Sequence, residues 1–229
     1  MKDAEVTLIL NASSGLRSAR ITLEMAEKYP FVYGAIGVHP HDSREMTDDT
    51  VTELELLLRH PKAKAVGEIG LDYHYDFSPR DVQKKRFREQ LEMARHVKKP
   101  VVVHEREALQ DTLGMIREYK DLTGVVHCFS GSWETAKAIL DIGWYISFTG
   151  VITFKNARKA IEVVEKMPPD RIMIETDCPY LAPEPMRGKR NSSLFLHYIA
   201  GKIASIRGIS IEEAAALTMD NGKRFFGIA

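Results

Sequence analysis

Ala65-Val66-Gly67-Glu68-Ile69-Gly70-Leu71-Asp72 is an apolar run that takes on a carboxylate and then breaks at glycine. It reads as a buried parallel strand with Glu68 placed at its end. A carboxylate in that position is costly unless a cation, a proton or a hydrogen-bonding partner compensates it, so the strand delivers Glu68 to a polar site. Later runs repeat the pattern: Val101-Val102-Val103 ends on His104, Gly124-Val125-Val126 on His127, and Ile172-Met173-Ile174-Glu175-Thr176 on Asp177. Carboxylate, imidazole, imidazole and carboxylate at successive strand ends form a ligand set for a divalent metal.

Outward from these strands the chain alternates regularly. Val6 to Leu10 predicts a first strand, stopped by the turn chemistry and candidate helix caps of Asn11-Ala12-Ser13-Ser14-Gly15. Residues 16 to 29 place Leu16, Ala19, Leu23 and Ala26 on one helical face, and Phe31 to Val38 predicts a second strand that delivers His39-Pro40-His41-Asp42. Helices are predicted over 48–60, 79–98, 108–119, 133–141 and 157–167, with a strand from Trp144 to Phe148 between the last two. Residues 73 to 79 form a loop rich in tyrosine and histidine. After Pro179 an irregular segment, 181–192, precedes closing helices over 194–206 and 210–226, the second capped by Ser210 with Glu213 three residues on.

Ligands at the carboxyl ends of strands fit either a parallel barrel or a doubly wound sheet. Their scatter along the chain favours the closed ring, since a doubly wound sheet gathers its ligands at one switch point. The fold expected is therefore a TIM-type (β/α) barrel in a single domain spanning 1–229. Seven strands are predicted where a regular ring has eight, which places the gap at the N-terminus.

Lysine plus arginine and aspartate plus glutamate each total 32, so any polyanion site must be a local patch and not a global field. The only cysteines, Cys128 and Cys178, each follow a proposed ligand; with no CxxC motif they read as reduced thiols. Met1 to Glu5 lack the order of a signal peptide, and no apolar run approaches the roughly eighteen residues of a membrane span. These features predict a soluble cytoplasmic protein with no membrane partner, expected to be a monomer.

Gly37-Val38-His39-Pro40-His41, Gly67 to Asp72, His127-Cys128-Phe129-Ser130-Gly131, Glu175-Thr176-Asp177 with Pro179-Tyr180-Leu181, and Arg187-Gly188-Lys189-Arg190-Asn191 together resemble the TatD family of metal-dependent deoxyribonucleases, in the family's order, from about Val6 onward. The resemblance implies an amidohydrolase-like barrel with one or two divalent ions: Glu68 bridging, His104 and His127 completing one site, Asp177 joining the other. Most members begin with a strand carrying a His-x-His pair, and this chain starts after it. One tight ion and a second, weak one are therefore expected. Magnesium or manganese suits nuclease work, and the same ligands accept zinc.

The reaction expected is metal-assisted hydrolysis of a phosphodiester, as a 3'-5' exonuclease on single-stranded DNA or 3' ends, with Asp177 as general base beside Glu68 and His39. Arg187, Lys189 and Arg190 would grip the phosphate backbone. Two other readings stay open: an esterase or amidase on a small-molecule or aminoacyl substrate, and a barrel remnant acting as an interaction module. His39 is placed to touch substrate or a metal-bound water, His41 reads as a turn cap around Pro40, and His74 either stacks on a base or packs its loop. His60, His96 and His197 belong to helices. The Lys84-Lys85-Arg86 run reads as a solvated helix face, and the cysteines as small buried neighbours of the site.

Overall fold

The computed structural model describes residues 6–228; the reading of Met1 to Glu5 falls outside them. Parallel strands alternate with helices as expected. The elements are β1 (Ile9–Ala12), α1 (Leu16–Lys28), β2 (Val32–Ile36), α2 (Asp48–Leu58), β3 (Ala63–Asp72), α3 (Arg80–Val97), β4 (Val101–Arg106), α4 (Leu109–Ile116), β5 (Gly124–Val126), α5 (Trp133–Leu140), β6 (Tyr145–Phe148), α6 (Arg158–Lys166), β7 (Ile172–Ile174), α7 (Leu196–Arg207) and α8 (Ile211–Phe226). Among the described residues no helix is long and apolar enough to cross a membrane. The chain forms two compact units: residues 8–125, and residues 126–228 together with 6–7.

In the 8–125 unit, β1 pairs with β2, β2 with β3 and β3 with β4, all parallel. Apolar residues of the strands, Ala35, Ile36, Val66, Ile69, Leu71 and Val103, are fully buried, and α1 and α3 cover them with Ala19, Leu23, Phe87, Leu91 and Ala94. Each large side chain buried this way contributes about 1.5–3 kcal/mol. Helix starts follow their sequence signals: Thr47 caps α2 and accepts from the Thr50 amide, and Gly15, with Ser18 three residues on, opens α1. Arg86 departs from the expected solvated face. Its guanidinium bonds the Met46 carbonyl at 2.5 Å and Glu89 at 2.7 Å, because position 86 turns toward the segment before α2.

The longest strand, β3, has 10 residues against 5 in β2 and 6 in β4. It absorbs the excess in bulges. Against β2 the register moves from Gly34↔Ala63 to Ala35↔Ala65, and against β4 from Val66↔Val101 to Ile69↔Val103. The second bulge holds Gly67 and Glu68. Glu68 is therefore not at the strand end, as the apolar run suggested, but inside a strand that runs on to Asp72. A bulge breaks the ladder and re-aims a side chain, which is how an interior glutamate escapes the apolar core. Its amide donates to the Ser13 carbonyl at 3.0 Å. Glycine is required beside it: a Cβ on Gly67 would lie 2.7 Å from the Val102 Cβ.

In the 126–228 unit, β6 and β7 are parallel, with Ile146 opposite Ile172 and Phe148 opposite Ile174. Trp144, Ile146, Phe148, Val163, Val164, Ile199 and Ile203 form its core. Ser210 and Glu213 make the predicted capping box at the start of α8.

Candidate metal centre and its supports

In the 8–125 unit the segment after β2, the bulge inside β3 and the interior of β4 bring His39, Glu68 and His104 together, with ligand atoms within 4.8 Å of one another. His104 Nδ1 lies 2.9 Å from Glu68 Oε1 and its Nε2 lies 3.1 Å from Asp72 Oδ2. A neutral imidazole carries one proton and can donate to only one of these carboxylates. With the proton on the Asp72 side, the Nδ1 lone pair faces a carboxylate oxygen, an arrangement that a cation between them stabilises. A histidine metal ligand typically has this form, one nitrogen bonded to a carboxylate and the other free to coordinate. The donor set thus fits a divalent ion held by Glu68 and His104.

His39 is held differently. Its Nδ1 accepts the His41 amide at 3.2 Å, which leaves the proton on Nε2, 3.6 Å from Glu68 Oε1. In this state the His39 Nε2 proton lies on the side of Glu68. His41, expected only to cap a turn, bonds Asp72 Oδ2 through Nε2 at 2.8 Å. His74 bonds Glu107 through Nδ1 at 2.7 Å while its amide donates to Asp72.

Asp72 was not among the expected site residues. Its carboxylate is wholly buried and accepts from both imidazoles and from the amides of His74 and Tyr75, at 3.0 and 2.9 Å. Burial works to raise its pKa, but the His104 bond, the Tyr75 amide and the His41 bond outweigh it and hold the carboxyl well below the usual range. Gln83 fixes the backbone at this point, accepting from the Asp72 amide at 2.8 Å and donating to its carbonyl at 3.0 Å. The available signal was the second carboxylate of the opening stretch, four residues beyond Glu68.

In the 126–228 unit, His127 is buried with Nδ1 3.5 Å from Glu175 Oε2. Glu175 accepts from the Cys128 amide and the Ser147 hydroxyl, each at 2.6 Å. Burial would raise its pKa; the neighbouring charge of His127 and these bonds together lower it. Glu175 is a second support that sequence reasoning passed over, since it reads as part of the β7 run. Cys128 and Asp177 both adopt left-handed backbone, φ 48° and 55°, which costs roughly 1–2 kcal/mol for a residue with a side chain.

Beyond β7, Asn191 is buried and pins the loop, donating to the carbonyls of Thr176 and Tyr180 at 2.6 and 2.5 Å. Arg187, Lys189 and Arg190 are exposed on that loop, with the Arg187 guanidinium 4.0 Å above the Phe154 ring.

A family model described as TatD related DNase matches residues 1–227. YabD of Bacillus subtilis, an uncharacterized metal-dependent hydrolase, is 45% identical over 208 residues, covering 90% of this chain and 82% of its own length. The 3'-5' ssDNA/RNA exonuclease TatD of Citrobacter koseri is 34% identical over 235 residues, covering 99% of this chain and 90% of its own. The crystal structure of YJJV, a TatD homologue from Escherichia coli, superposes with a TM-score of 0.92 at 27% identity, over 99% of this chain and 88% of that one. Matches that run the length of the chain, in sequence and in fold alike, make it a member of the TatD-related DNase family, a metal-dependent hydrolase with that family's TIM-barrel-type fold.

Proposed function

We propose that the protein hydrolyses phosphodiester bonds of single-stranded DNA from the 3' end, using magnesium or manganese. The observation that carries this reading is the Glu68–His104–Asp72 arrangement, in which an imidazole fixed by one carboxylate turns its other nitrogen toward a second. The name of the Citrobacter relative supports the choice of substrate. Glu68 and His104 hold the ion. A bound divalent ion supplies positive charge that polarises a phosphoryl oxygen and makes a nearby water more acidic. His39 Nε2–H donates to an anionic oxygen of the substrate. The assignments of His127 as a further ligand, Asp177 as the base that removes a proton from the attacking water, and Arg187, Lys189 and Arg190 as phosphate contacts belong to this reading and rest on the sequence resemblance. So does the expectation of one tightly bound ion and a second, weak one.

The test is shortening of a 5'-labelled single strand with Mn²⁺ present and with chelator. Glu68→Ala should abolish the metal-dependent cleavage. Undiminished cleavage by that variant refutes the reading, because Glu68 is the carboxylate on which the ion depends.

A further inference from the structure

The segment between β3 and α3 exposes two aromatic rings that the core does not use. Tyr75 is 48% exposed and Phe77 55% exposed, yet they stack on each other, with centroids 5.2 Å apart and planes 20° apart. Exposed rings on a loop are entropically expensive to order, and here main-chain bonds do the ordering. The Tyr75 amide donates to Asp72, and Ser78, one residue past Phe77, donates its hydroxyl to the His41 carbonyl at 2.8 Å. The Arg106 guanidinium, at the end of β4, lies 4.7 Å from the Tyr75 ring centroid. The pair therefore presents exposed apolar ring surface with a cation over the Tyr75 ring.

Ring contacts connect this shelf to the metal centre without a break. Phe77 meets His41 at 4.8 Å, His41 meets His39 at 4.3 Å, and His39 meets His104 at 4.5 Å. We propose that Tyr75 and Phe77, with Arg106, form a stacking site for a nucleobase of a single-stranded substrate, adjoining the residues Glu68 and His104 that would hold the ion. The inference rests on the nucleic-acid reading above and extends it to a base-binding subsite. Every base has a π face, so stacking is tolerant of sequence, and a guanidinium beside the ring adds attraction for base and backbone alike. A paired base within a duplex has no free face to offer, so the shelf selects frayed or single-stranded ends.

The experiment compares a fluorescein-labelled oligo-dT with a fully abasic strand of the same length, bound in chelator so that no cleavage intervenes. Wild type should bind the strand with bases roughly 5- to 150-fold more tightly, the range measured for loss of one aromatic stacking partner. Tyr75→Ala with Phe77→Ala should bind both strands alike. Tyr75→Phe with Phe77→Tyr, which keeps both rings, should retain the preference, separating stacking from damage to the loop. An equal affinity of wild type for the two strands, or an unchanged preference in the double alanine variant, overturns the shelf. A Mn²⁺ cleavage assay run alongside tells the two proposals apart. Cleavage with an unchanged base preference removes the shelf and leaves the nuclease, whereas a ring-dependent preference without cleavage leaves the shelf and removes the nuclease.

Discussion

Replacing Asp72 with asparagine changes no shape and reverses one hydrogen-bonding face. The carboxylate receives amides on Oδ1 and the His41 and His104 imidazoles on Oδ2. In Asp72→Asn the amide oxygen stays with the backbone donors, so the new NH₂ points at two imidazole nitrogens that formerly donated. To meet it, His104 must accept on Nε2, which moves its proton to Nδ1, the atom facing Glu68. The ligand nitrogen is then capped by a proton. Losing such an orienting partner typically weakens metal binding 10- to 100-fold, and each charge-assisted bond lost removes about 1.5–3 kcal/mol of stability. Calorimetric titration with Mn²⁺ and ¹⁵N spectra of the His104 ring read these effects separately from turnover.

The sign of the pH dependence follows from the lowered pKa of Asp72. A carboxyl whose folded pKa lies below its unfolded value contributes its full stability above the unfolded value, about 3.9, and loses it as pH falls through the folded one. The part of the stability gap between wild type and Asp72→Asn that comes from the carboxylate's own charge should narrow below about pH 4. Mn²⁺ affinity equal to wild type, with the His104 proton still on Nε2, would refute the argument.

Gly70→Ala is expected to be far more damaging than its size suggests, since its Cβ would sit 2.0 Å from the His104 carbonyl oxygen at a backbone φ of +140°. Overlap and backbone strain together cost about 2–6 kcal/mol, so a loss below 1 kcal/mol in urea unfolding would contradict the close approach of β3 and β4. The cysteines should react unequally. Burial, with Glu175 and Asp177 adding to it against His127 and Thr149, pushes the Cys128 thiol up to about 11, leaving about one molecule in a thousand as thiolate at pH 8, whereas Cys178 is exposed. Ellman's reagent should thus find one reactive thiol in the native protein, and Cys178→Ser should remove it; rapid native labelling of that variant would show Cys128 to be open.

Helices and strands were legible because their signals are local. The apolar spacing of Ala19, Leu23 and Ala26 and the Ser210–Glu213 box depend on neighbours within one or two turns, and the structure places these elements within a few residues of the reading. The end of β3 was not legible. An alternation rule reads Gly67 and Gly70 as breaks, whereas both are places where β3 passes so close to β4 that no side chain fits. The bulge at Gly67–Glu68 is a relation between strands and leaves no mark on either one alone.

The same reasoning explains which site residues were found. Glu68, His104, His127 and Asp177 stand out because each is a metal-ligating side chain following an apolar run. Asp72 and Glu175 also end or follow such runs, but their work is to hold His104 and His127, partners 32 and 48 positions away. Nothing in the spacing of one chain records so distant a pairing. Physical chemistry does record the need for one. An acid carried on an apolar strand must find donors or a cation, and every candidate ligand histidine requires a second acceptor to fix its proton. Two histidines without assigned acceptors and two acids without assigned donors were present in the sequence together, and matching them by type would have pointed to both supports before any coordinates.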